Sequence, residues 1–286
     1  MTTSSDFWAS RYRTAVIEEL HKIPAFARRD LLVLLSYRAA MFSDMASVLL
    51  QLVVTNLVGK IVDADSLPRF GGQATTYIEF VSVAIILAAF IQLGLGRVVV
   101  AIRQERLMGT LESLMLTPTT PTTIQLGSVV FDVIYIPVRT FLFLALSTII
   151  FNVSYTFSSV GPATAIMLAF IPFIWGLGVV SAAGVITFRR GSAMVNAGGV
   201  ILTIASGTYF PLSVLPDWLQ PIAERNPIAI AIEGLRETLL GGAGWDQALP
   251  AIAVLLPAAV ISLTIGIFAM RLALKRERRR GTLGLY

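Results

Sequence analysis

Residues 163–187 read ATAIMLAFIPFIWGLGVVSAAGVIT. No charged side chain interrupts them, and Arg189 and Arg190 follow after Phe188. Crossing ~30 Å of hydrocarbon takes about 20 apolar residues in a helix, because only a helix or a closed barrel satisfies its own backbone there. The stretch therefore predicts a membrane-spanning helix. Composition extends that reading to the whole chain. Of 286 residues 56% are hydrophobic and only 14% are charged, whereas soluble domains carry about a quarter charged residues. So few ionic groups do not cover a water-soluble surface of this size. The mean hydropathy of +0.78 agrees.

Working outward, five further segments approach or exceed the same length. Spans are expected at 39–59, 78–100, 123–151, 163–187, 193–210 and 248–270, with Pro137 placed to kink the long third one. Lysine and arginine set the orientation, because cytoplasmic loops carry the excess. Alternate loops hold 17 of the 22 basic residues on one side and 4 on the other, and Arg139 falls inside a span. A missed span would scramble this alternation. The amino end, the 101–122 loop, the 188–192 turn and the tail are thus expected in the cytoplasm. Tyr77, Tyr209, Trp218 and Trp245 fall at the opposite interface, where aromatic anchors belong. The basic tail reads first as a topology signal, and no nucleic-acid role is assigned to it.

Before the first span, Trp8, Tyr12, Val16, Leu20 and Ile23 form one helical stripe, and Leu31, Leu32, Leu34 and Leu35 lie beside Arg28, Arg29 and Asp30. Residues 7–37 are expected as helices lying in the interface. No short apolar core with a small-residue cleavage site precedes them, so no cleavable signal peptide is expected. Cysteine is absent and His21 is the single histidine, which argues against thiol chemistry and against zinc or histidine-rich metal sites. A phosphate-binding P-loop needs Gly-Lys followed by Ser or Thr. The one Gly-Lys pair, Gly59–Lys60, precedes Ile61. No HExxH and no GxSxG motif appears. The chain is expected to hold no cofactor and no catalytic residues.

Two segments between spans carry more pattern than a connection requires. Inside, Leu107, Leu111, Leu114 and Met115 share one face of a short helix over 105–116, flanked by Glu105 and Glu112 and stopped by Pro118 and Pro121. A protruding helix of this kind suits a docking partner; a helix lying on the lipid surface is the other reading. Outside, residues 207–227 read GTYFPLSVLPDWLQPIAERNP. Asn226 then Pro227 reads as an N-cap with proline at the first helical position. Ile228, Ile232, Leu235 and Leu239 line one face, and Gly241–Gly242 is the stop. The region 211–242 is too apolar for a free linker and is expected as re-entrant helices dipping into the outer leaflet.

Together these segments resemble the membrane subunits of ABC-2 type transporters. The inner element matches the form E-x-x-x-G-T-x-E at Glu105, Gly109, Thr110 and Glu112, with Leu107 and Leu111 on its apolar face. The outer element is similar to the family's at Tyr209, Phe210, Pro211, Leu215, Pro216, Trp218, Leu219, Ile222, Asn226 and Pro227, followed by an E-x-x-R at Glu233 and Arg236. The resemblance covers nearly the whole chain. It implies an all-α, six-span single domain over 1–286, working as a homodimer with two copies of a separate ATP-binding subunit that holds ATP and magnesium. It further implies that the 105–116 helix couples to that ATPase, and that spans one and five form the subunit interface. The expected activity is export of a drug, lipid or lipid-linked glycan across the cell membrane. Asp132, Tyr135 and Arg139 share a face of span three, and ionisable groups at that depth are costly. That face either lines the substrate path or contacts a neighbouring span. The alternative function is an ion-coupled secondary transporter, which calls for convergent acids at the midplane and often internal repeats; only Asp132 lies well inside. An intramembrane enzyme finds no nucleophile–base pair.

Overall fold

The computed structural model describes residues 24–25, 28–29, 31–32, 35–62, 67–72, 75–107, 135, 138, 140–187 and 191–280. Their regular structure is helical: α1 (Arg38–Gly59), α2 (Tyr77–Leu107), α3 (Thr140–Phe151), α4 (Val160–Thr187), α5 (Gly191–Ala205), α6 (Gln220–Glu224), α7 (Pro227–Leu239) and α8 (Trp245–Arg280), with 3-10 turns at Phe157–Ser159 and Leu212–Val214. Among the described residues, three stretches are long and apolar enough to cross a membrane: Tyr77–Gly96, Val160–Thr187 and Trp245–Ala273. Leu49–Gly59, Thr140–Phe151 and Val195–Ala205 are shorter apolar helices within the predicted first, third and fifth spans.

The chain divides into two compact units. One comprises Met1–Ala46 and Val100–Arg139; the other comprises Ser47–Val99 and Thr140–Tyr286. In the first unit, the described residues of the predicted 7–37 interfacial segment are helical up to Ser36, and Leu31, Leu32 and Leu35 are exposed. The rest of that segment lies outside the described residues.

In the second unit, α8 packs most extensively on α4, and α7 packs on both. Apolar helices gain little from burying surface against one another in lipid, so close backbone approach and interhelical hydrogen bonds must hold them. The glycines meet that requirement. A Cβ on Gly178 would run into the carbonyl oxygen of Gly94, joining α4 to α2. A Cβ on Gly176 would meet Ser262 of α8, and one on Gly266 would lie 2.8 Å from the Gly176 carbonyl oxygen. At the second crossing the Ser262 hydroxyl donates to the Phe173 carbonyl at 3.0 Å. Phe80, Leu87 and Ile91 of α2, Ile166 and Phe170 of α4 and Leu255 of α8 are fully buried.

The start of α2 is a capping box. The Thr76 amide donates to Glu79 Oε2 at 2.8 Å, and the Glu79 amide donates to Thr76 Oγ1 at 3.4 Å. The other end runs further than expected. The predicted second span stops at residue 100 and a separate helix begins at 105, yet α2 continues unbroken to Leu107. Residues 97–107 contain no glycine or proline, so nothing in the backbone ends the helix there. The predicted fifth span, 193–210, ends earlier than expected at Ala205. Gly207 follows with φ of 71°, a left-handed conformation that glycine adopts without steric cost.

Candidate functional site

The outer motif region folds as a helical lobe in the second unit. The Leu212–Val214 turn is tied to α6 by the Gln220 side-chain amide, which donates to the carbonyls of Leu215 at 2.7 Å and Ser213 at 3.2 Å. Asn226 Oδ1 accepts from the Ile228 amide at 3.0 Å and so caps α7, with Pro227 at its first position. Ile228, Ile232, Leu235 and Leu239 are all buried, as their spacing requires. The Thr156 amide donates to the Leu239 carbonyl at 2.8 Å, joining the segment before α4 to the end of α7.

Arg236 holds the lobe together. Its side chain is 3% exposed. Nε donates to the Phe80 carbonyl at 3.0 Å; Nη2 donates to the carbonyls of Gly207 at 2.9 Å and Thr208 at 3.4 Å. The guanidinium carbon lies 3.5 Å from the centre of the Phe80 ring, a cation–π distance. Nη1 faces Glu233 Oε2 at 3.6 Å, an ion pair one helical turn back. Burial draws the Arg236 pKa down to about 10, with the Glu233 charge opposing the fall; the group stays charged at neutral pH. One side chain thus joins α7, the first turn of α2 and the turn that follows α5. Gly207 and Thr208 present those carbonyls because the helix has already ended at Ala205.

Beside this cluster a cavity of about 540 Å³ opens between α7, the turn at Pro211–Ser213 and the first turns of α8. Its lining includes Glu224, Glu233, Arg236, Glu237, Gln247 and Pro211. Glu237 has its pKa raised by burial, then by the charges of Glu233 and Asp246. Along the lobe's outer edge Val214, Trp218 and Ile222 are exposed at 69%, 73% and 64%. They recur at steps of four and form an apolar rim.

Of the sequence-predicted site residues, the structure brings Pro211, Glu233 and Arg236 to the cavity. Asn226 and Pro227 act at the start of α7, and Trp218 and Pro216 lie on the exposed surface. Phe210 is half-buried in the segment leaving α5. Glu105 and Leu107 belong to the last turn of α2. Gly109, Thr110, Leu111 and Glu112 lie outside the described residues, as do Asp132 and Arg139; Tyr135 is helical. Glu224, Glu237 and Gln247 were not singled out by sequence, since an acid or amide on an outer loop is ordinary without its neighbours.

Comparison with known proteins bears on the same residues. The profile of the ABC-2 type transporter family matches residues 23–240, from before α1 to the end of α7. The Linearmycin resistance permease protein LnrN of Bacillus subtilis (strain 168) is 33% identical over 112 residues, covering 38% of this chain. The match spans 29% of that relative's own length. With the glycine-knitted helices and the lobe braced by Arg236, a family match over most of its length makes this chain a member of the ABC-2 type transporter family, a membrane-embedded subunit of an ABC transporter.

Proposed function

We propose that the chain is one half of the membrane pathway of an ATP-driven exporter. Its cargo is lipophilic or amphipathic: a drug, a lipid or a lipid-linked glycan. Six spans place both ends in the cytoplasm, two copies of the chain pair, and two copies of an ATP-binding subunit supply the energy. ATP and magnesium are held on that partner. The 105–116 segment receives the push through Glu105, Gly109, Thr110 and Glu112, and spans one and five meet their counterparts in the second copy. The outer lobe dips its Val214–Trp218–Ile222 rim into the outer leaflet. Asp132, Tyr135 and Arg139 line the path or brace span three against a neighbour.

The observation that carries this reading is the family match across 23–240, which takes in both the inner and the outer elements. That LnrN is a linearmycin resistance permease supports a drug-like cargo. ATPase activity of the reconstituted complex tests it. Glu105→Ala with Glu112→Ala should lower transport-linked ATPase at least tenfold while the chain still inserts. Unchanged transport in that variant, or purification without any ATPase subunit, rejects the coupling role. Asp132→Asn with Arg139→Gln separates the two readings of span three: lost export with intact assembly marks the path, and lost assembly marks a brace.

A further inference from the structure

The cavity beside Arg236 carries more charge than its structural role explains. Glu224, Glu233 and Glu237 line it, and Arg236 is the one cation among its lining residues. That cation is already engaged, with Nε and Nη2 on three backbone carbonyls and its face on Phe80. Only Nη1 reaches a carboxylate, that of Glu233. Among the described residues neither Glu224 nor Glu237 forms an ion pair. Glu233 and Glu237 stand one helical turn apart on α7, so their like charges repel. Burial and that repulsion both hold Glu237 above the usual carboxylate range. Ile230 and Val254 supply apolar wall, and Val254 is 40% exposed, so the wall continues to the surface. The volume of about 540 Å³ lies within the range of small-molecule sites, which are mostly apolar with a few fixed polar groups.

We propose that this cavity binds the protonated amine of an amphipathic molecule, with the ammonium against Glu233 and Glu237 and the apolar portion along Ile230 and Val254. A cation there relieves the repulsion between the two carboxylates and gains charge-assisted hydrogen bonds. A phosphatidylethanolamine head group and a free cationic amphiphile share this chemistry. The proposal rests on the export reading above, as a site on the outer side of the pathway.

Equilibrium binding of radiolabelled dodecylamine to the full chain tests it, in phosphatidylcholine nanodiscs at neutral pH with empty discs subtracted. No nucleotide or ATPase is present, so a failure of coupling leaves the result unchanged and a failure here leaves coupling intact. Saturable binding is expected. Glu237→Gln, which spares the Arg236–Glu233 pair, should weaken it at least fivefold. Ile230→Trp, which fills the space and keeps every charge, should weaken it as much. Asp217→Asn, a charge change outside the cavity, should leave it within twofold. Discs containing phosphatidylethanolamine assign the source: competition marks the lipid head group, and its absence marks the free amphiphile. The proposal is overturned by binding no greater than to empty discs, by equal binding to a folded Glu237→Gln chain, or by an equal loss in Asp217→Asn.

Discussion

Arg236 shows how much one buried cation can organise. Removing it strands the buried carbonyls of Gly207 and Thr208, which lie outside any helix, whereas the Phe80 carbonyl keeps its place in the α2 hydrogen-bond ladder, and each unpaired buried acceptor costs about 1–3 kcal/mol. Arg236→Met should therefore lower stability by about 2–6 kcal/mol through those two acceptors, since the remaining Glu233 carboxylate is half exposed and stays solvated. Arg236→Lys keeps the charge but has no planar fork to reach both Phe80 and Gly207, so its loss should be smaller but clear. Thermal unfolding in detergent, followed by tryptophan fluorescence, ranks the three chains. Glu237 behaves in the opposite sense. Its pKa is raised in the fold, so the folded state holds a proton more tightly than the unfolded chain, and stability is gained as pH falls through the folded pKa. At neutral pH, where the carboxylate is charged and disfavoured, Glu237→Gln should raise the melting temperature. Below the unfolded carboxylate pKa of about 4.3 that gain should vanish. A gain that persists at acid pH would show that packing, not charge, sets the effect. The E-x-x-R pattern was visible in sequence, but Arg236's partners were not. Phe80 lies 156 positions away, and no local spacing reports such a contact.

Among the elements, α7 was the most legible. Asn226, Pro227 and the Gly241–Gly242 stop mark its ends, and the apolar stripe marks its buried face; these are local signals, and the helix obeys them. The helix crossings were not legible in the same way. In the sequence Gly94, Gly96, Gly176, Gly178, Gly198 and Gly199 read as permitting close helix approach, yet which pairs meet depends on the register of one helix against another. Gly94 meets Gly178, and Gly176 meets Ser262 and Gly266. Gly184 and Gly198 have open space where a Cβ would stand. Gly178→Ala should therefore reduce the yield of folded protein in membranes and lower its melting temperature by several degrees. Gly184→Ala should leave both unchanged, or improve them slightly because alanine favours the helix by up to about 1 kcal/mol. Size-exclusion yield and thermal unfolding of the two variants measure the contrast. Equal losses would remove the close-approach account of the α2–α4 crossing.

For the whole molecule, the absence of cysteine makes orientation directly testable. Ser158→Cys, before α4, should react with a membrane-impermeant maleimide added outside intact cells. Ser192→Cys, at the start of α5, should react only after permeabilisation. The reverse pattern would invert the topology drawn from the basic residues. The sequence by itself determined the membrane as solvent, because a run such as 163–187 has nowhere else to put its apolar surface. It also determined the helical class, the positions of the long apolar segments and the inner and outer motifs that mark the family, since hydropathy, charge count and capping are local properties. Only the tertiary structure decided that α5 stops at Ala205 to offer its following carbonyls to Arg236, that α2 runs on to Leu107, and that Glu224, Glu233 and Glu237 face one cavity. These outcomes depend on which distant backbone groups and side chains meet, and in a chain this apolar hydropathy alone does not choose among the possible meetings. Shape and hydrogen bonding do.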